Sequence, residues 1–126
     1  MIPLFISWSN EGKPLIIFGD GEQTRDFVYV QDVVQANIKT AESKKCDGMV
    51  LNVAGGEKIT INELGKMIGD ITGKEAELKY EPARPGDIVD SVADVTLVKE
   101  TTGFEPAFSL RDGLERTVEW FLENTS

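Results

Sequence analysis

The chain has 126 residues, room for one domain with a sizeable core, and its 40% hydrophobic and 28% charged residues are ordinary for a folded soluble protein. Its 13 Lys and Arg against 22 Asp and Glu leave a net charge of −9, which argues against a nucleic-acid binder and against adsorption to anionic lipid, since both need a basic face. Histidine is absent, which excludes Ser-His-Asp and Cys-His machinery, an imidazole metal site and a histidine proton switch.

Ile2 to Ser9 reads as a short helix stopped at Asn10-Glu11-Gly12. Leu15-Ile16-Ile17-Phe18 is a short apolar strand between Pro14 and Gly19, and Phe27-Val28-Tyr29 is a second. Gln31 to Ser43 has helical spacing, with Val33, Val34, Ile38 and Ala41 on one face. Cys46 follows among turn residues; being alone it forms no internal disulfide, and without a histidine base it reads as structural. Met49 to Val53 reads as a buried strand ending at Ala54-Gly55-Gly56. Thr60 and Glu63 form a capping box for a helix in which Leu64, Met67, Ile68 and Ile71 recur, with Gly73 suited to its end. Glu77 to Tyr80 is the last expected strand, and the final helix starts at Ser109, with Asp112 three residues on. Its apolar stripe is Leu110, Leu114, Val118, Phe121 and Leu122, while Arg111, Glu115, Arg116, Glu119 and Glu123 face water. Trp8, Trp120 and the methionines are expected in the core.

The expected class is mixed α/β. Strand and helix do not alternate long enough to close a doubly wound sheet, so residues 1–126 read as a single partial domain, part of something larger. The apolar start, Met1 to Ile6, is too short for a signal peptide and lacks its basic region. No stretch approaches the ~20 apolar residues of a membrane span. Asn124-Thr125-Ser126 matches the glycosylation pattern by chance on this reading, and the expected compartment is the cytoplasm.

Gly19-Asp20-Gly21-Glu22-Gln23-Thr24 begins like a dinucleotide loop, but Thr24 replaces its third glycine, no helix follows, and Asp20 and Glu22 would face a pyrophosphate. A tight turn between strands is the better reading. Arg25 and Arg84 stand apart because each lies beside Gly or Pro turns, Arg84 within Pro82-Ala83-Arg84-Pro85-Gly86-Asp87. A loop-held guanidinium is a fork for phosphate or carboxylate. Equally, each arginine pairs with Asp26 or Asp87 and only secures its loop. Phe18, Phe27 and Tyr29 are either core or a wall for a stacked base. From the residues alone no nucleophile, base or cofactor site emerges.

The series Gly19-Asp20-Gly21-Glu22-Gln23-Thr24-Arg25-Asp26-Phe27-Val28-Tyr29-Val30-Gln31-Asp32, then Leu51 to Gly56, Arg84-Pro85-Gly86-Asp87 and Gly103-Phe104-Glu105-Pro106, spans nearly the whole chain. In that order it resembles the extended short-chain dehydrogenase/reductases, in the NAD-dependent epimerase/dehydratase group, and most of all nucleotide-sugar 4-epimerases acting on UDP-glucose or UDP-N-acetylglucosamine.

The resemblance implies the C-terminal, substrate-binding part of such an enzyme. Arg25 and Arg84 then grip the diphosphate of a nucleoside-diphosphate sugar, most simply a UDP-sugar. Asp87 contacts the ribose, and the strand from Ile16 to Phe18 borders the base, chiefly through backbone at Phe18. The family's glycine-rich NAD loop, its Ser/Thr and its Tyr-x-x-x-Lys pair are not in this chain, where Tyr29 precedes Val33 and Tyr80 precedes Arg84 at that spacing. The resemblance therefore gives this chain no catalytic residue, no cofactor and no epimerisation of its own. NAD and homodimerisation belong to the longer parent. Alternatives are a non-enzymatic interaction module on the same fold, or part of a dehydratase or decarboxylase. Asp90 departs from the family, where a basic residue is common, and Ser7-Trp8-Ser9-Asn10 is atypical of its opening helix.

Overall fold

The computed structural model describes residues 1–124, so Thr125 and Ser126 of the terminal glycosylation match lie outside the described residues. Within them lie helices α1 (Ile2–Asn10), α2 (Val30–Glu42), α3 (Ile61–Thr72), α4 (Thr96–Thr102) and α5 (Leu110–Asn124). The strands are β1 (Leu15–Phe18), β2 (Thr24–Asp26), β3 (Lys58–Thr60) and β4 (Leu78–Glu81).

Caps set the best-defined helix ends. The Thr60 hydroxyl accepts from the Glu63 amide at 3.1 Å while the Thr60 amide donates to the Glu63 carboxylate at 3.0 Å, and α3 stops at Gly73 with φ +69°. Ser109 and Asp112 make the same exchange at the head of α5, at 3.1 and 3.2 Å.

β1 and β4 pair in parallel with Phe18 opposite Glu81, and β2 and β3 pair antiparallel with Arg25 opposite Ile59. The main core gathers Phe5 and Ile6 of α1, Leu15 and Ile17 of β1, Ile61, Leu64 and Ile68 of α3, and Leu114 and Val118 of α5. Each large apolar side chain withdrawn from water there contributes roughly 2 kcal/mol. Three helices thus fix β1, the strand that ends at Phe18. A smaller cluster joins Ala36, Val98 and Phe104 with Leu51, Val53 and Val95.

The mixed α/β class is the expected one, but several elements differ. Phe27 to Tyr29 is not a strand: the chain passes Gly55 and turns at extended Tyr29 into α2. Met49 to Val53 forms no ladder. Leu51 and Val53 pack into the smaller cluster while Met49 and Val50 are exposed. α2 buries Asp32 and Ala36, so the expected apolar face of Val34, Ile38 and Ala41 is exposed. On α5, Leu122 and Trp120 are also exposed, as are Met1 and Met49. β3 and α4 were not expected; three and seven residues give too little periodicity to read. Among the described residues no helix is long and apolar enough to cross a membrane.

Candidate functional site

β1 ends in a loop that the protein itself fills. Gly21 has φ +79°, and a Cβ there would stand 2.0 Å from the Asn62 side-chain oxygen. Asn62, in the first turn of α3, donates to the Asp20 carbonyl at 3.0 Å and to the Glu22 carboxylate at 2.6 Å, and accepts from the Tyr80 hydroxyl at 3.0 Å. The space beside Gly21 is filled by Asn62, and the loop carries the Asp20 and Glu22 carboxylates. These residues do not fit the phosphates of a dinucleotide cofactor, and the tight-turn reading holds.

Along β1 successive amides point to opposite edges. Leu15 donates to the Glu77 carbonyl at 2.8 Å and Gly19 to the Glu81 carbonyl at 2.9 Å, so both face β4. Ile16 and Phe18 therefore turn their backbone groups to the other edge, where the Phe18 carbonyl accepts from the Gln23 side-chain amide at 2.7 Å.

The two arginines come together through the loop after β4. The Arg84 guanidinium lies 3.8 Å above the Phe18 ring, and the Asp87 amide closes a turn onto the Arg84 carbonyl at 3.2 Å. Arg25 reaches the same loop from β2. It donates to the Ile88 carbonyl at 2.8 Å and to the Asp87 carboxylate at 3.3 Å, as well as to the Thr24 carbonyl at 2.7 Å. Of the two aspartate partners considered for it, Arg25 takes Asp87; Asp26 is engaged elsewhere. Phe18, Arg25, Arg84 and Asp87 thus meet at one loop, with Ile16 two positions back along β1. Arg84 is exposed and Arg25 half-buried, so both heads remain within reach of a dissolved anion.

Phe18, Phe27 and Tyr29 do not form one wall. Phe18 stacks on Arg84, Tyr29 meets Phe108 edge-on at 4.9 Å, and Phe27 packs against the main core. A cleft of about 850 Å³ on other residues, among them Phe27, Lys58, Lys99 and Phe104, contains none of the five expected site residues.

Several supporting residues lie outside the set of expected site residues. The Asp26 carboxylate accepts from the amides of Gly55 at 2.8 Å, Gly56 at 3.1 Å and Ala93 at 3.4 Å, tying three distant segments together. Gln23 and Asn62 support the β1–β2 loop as described. Asp90, an acidic residue at a position where the resembled family commonly has a basic one, accepts from the Thr24 hydroxyl and from the Lys58 ammonium, at 3.1 Å to each of its oxygens. The Thr24 hydrogen bond first, and then Lys58, hold its carboxyl below the ordinary range.

The family profile described as GDP-mannose 4,6 dehydratase matches residues 1–117. The chain is 37% identical over 125 residues to the dTDP-4-dehydro-6-deoxy-D-allose reductase of Streptomyces bikiniensis, covering 99% of this chain and 37% of the relative. It superposes on the crystal structure of UDP-glucose 4-epimerase with UDP-glucose from Thermotoga maritima with a TM-score of 0.91 at 41% identity, covering 99% of this chain and 40% of that one. The UDP-glucuronic acid 4-epimerase from Bacillus cereus, in complex with NAD, gives a TM-score of 0.87 at 32% identity, again over 99% of this chain and 40% of that one. The chain thus spans about two fifths of the length of these proteins.

Proposed function

Because the chain belongs to the NAD-dependent nucleotide-sugar epimerase and dehydratase family, of extended short-chain dehydrogenase/reductase fold, we propose that it is the part that binds the nucleotide sugar, with a UDP-sugar as the favoured ligand. The observation that carries this reading is the meeting of Arg25 and Arg84 at one loop in a chain of net charge −9. Two planar forks, one on the loop and one reaching that loop from β2, suit a diphosphate, whose oxygens accept parallel hydrogen bonds from each.

In this reading Arg25 and Arg84 hold the two phosphates and Asp87 accepts from the ribose hydroxyls. Ile16 and Phe18 border the base with the outward backbone of β1. The parent acts in the cytoplasm as a homodimeric, NAD-dependent 4-epimerase. No residue of this chain holds NAD, and neither Tyr29 nor Tyr80 has the lysine partner its chemistry needs.

Titrating the 126-residue chain with UDP tests the proposal. Arg25→Ala and Arg84→Ala are each expected to weaken binding about tenfold or more, the worth of a charge-assisted contact. Equal affinity for the unaltered chain and both variants would overturn it.

A further inference from the structure

We infer that Lys58 and Asp90, together with the Thr24 hydroxyl, form a latch that holds the loop bearing Arg84 and Asp87 against β2 and so presets the anion site. This rests on the nucleotide-binding reading and adds positioning residues to it.

Residues 82–95 contain no helix or strand, so side-chain and backbone attachments, most of them to β2, decide where they lie. The residues of β2 make these attachments in turn. The Thr24 amide donates to the Val89 carbonyl at 2.9 Å, Arg25 binds Asp87 and Ile88, and the Asp26 carboxylate takes the Ala93 amide. Of these, the Arg25 contacts conflict with function. An incoming phosphate competes for the guanidinium that the Asp87 carboxylate and the Ile88 carbonyl now share. When Arg25 turns to the ligand, the loop loses two attachments beside the residues that must stay in place.

Asp90 supplies an attachment that does not pass through Arg25. Its carboxylate joins Thr24 of β2 to Lys58 of β3, the residue paired with Asp26 across the ladder. The latch therefore grips both strands at once, six residues along the loop from Arg84. It also removes the objection to a carboxylate near an anion site, because Lys58 neutralises Asp90 locally. Such an exposed pair adds little to the stability of a whole domain. A loop held by few contacts responds to the same small energy far more visibly.

The Thr24 amide reports loop attachment directly, since its partner is the Val89 carbonyl. The Ile61 amide, bonded to the Gln23 carbonyl at 3.1 Å, reports the neighbouring fold. Hydrogen exchange of both is measured in the unliganded chain, and UDP affinity is measured separately. Asp90→Asn and Lys58→Met should each speed Thr24 exchange about two- to fivefold with Ile61 unchanged, and weaken UDP by a similar factor. The exchanged pair Lys58→Asp/Asp90→Lys should restore both, which a generic packing role would not. Unchanged Thr24 exchange in both single variants overturns the latch. Faster exchange with unaltered UDP affinity, while Arg84→Ala loses binding, overturns its role in presetting the site. If the unaltered chain itself binds no UDP, the nucleotide reading falls, and exchange with its restoration alone decides whether the latch exists.

Discussion

The Arg84 guanidinium sits 3.8 Å above the Phe18 ring, so the last residue of β1 carries the arginine of a loop more than sixty positions later. Core packing of Leu15 and Ile17 fixes β1, and the fixed strand fixes the ring. An arginine on an otherwise unstructured loop gains a defined resting place without burying its charge. Phe18→Leu removes the ring and keeps the strand. A cation–π contact at an exposed site is worth about 0.5–1 kcal/mol, so UDP affinity is expected to fall about two- to fivefold with an unchanged melting temperature. A calorimetric titration beside a melt checks both halves, and an unaltered affinity removes Phe18 from the account.

Gly21→Ala tests the loop before β2. The glycine has φ +79°, and a methyl there would collide with an Asn62 side chain already committed to Asp20, Glu22 and Tyr80. Relief requires Asn62 to abandon its partners or the loop to lift off α3. The expected cost is about 2 kcal/mol or more, read as a lower denaturation midpoint at constant slope. Asn62→Ala in the same background should recover part of it by opening the space.

Among the described residues, Asp32 is the buried acidic one, 1% exposed on the first turn of α2. Its carboxylate accepts from the Ala107 amide at 2.8 Å and the Phe108 amide at 3.3 Å, docking the segment before α5 onto α2. Asp32→Ala strips both amides of their acceptor and is expected to cost about 2–4 kcal/mol, with Asp32→Asn intermediate because its oxygen still accepts. Chemical denaturation of the two variants orders them.

Local chemistry is readable from the residues themselves, whereas the long-range gathering of the site residues is legible only through the family resemblance. Thr60 with Glu63, Gly73, and Ser109 with Asp112 act within a few residues of one another, and the structure uses each as the spacing implies. The pairing of Phe18 with Arg84 and of Arg25 with Asp87 depends on where β4 delivers its following loop, which no local pattern encodes. Asp26 offers no clue at all that it gathers Gly55, Gly56 and Ala93. Two of the failed readings share a cause. The apolar spacing of α2 and the apolar run Met49–Val53 both predict burial, yet Val34, Ile38, Met49 and Val50 are exposed. A residue's apolarity states what it favours, and the neighbours present decide what it gets.

Acid should loosen the molecule through the caps before it touches the core. The backbone amide and then the hydroxyl of Thr60 hold the Glu63 carboxyl below its ordinary range, and the Ser109 hydroxyl and then its amide do the same for Asp112. Thr24 and Lys58 act likewise on Asp90. Each group titrates lower folded than unfolded, so at pH values between the two the unfolded chain binds more protons. Stability therefore rises with pH through that interval. The contribution is complete above the unfolded carboxylate value and disappears as pH falls through the folded one, so the loss begins as pH drops below about 5 and runs on below the ordinary carboxylate range. Melting temperatures across that range should decline steadily, and Glu63→Gln should flatten the decline because its amide no longer titrates. A variant as acid-sensitive as the unaltered chain would show that the cap of α3 does not contribute to the loss.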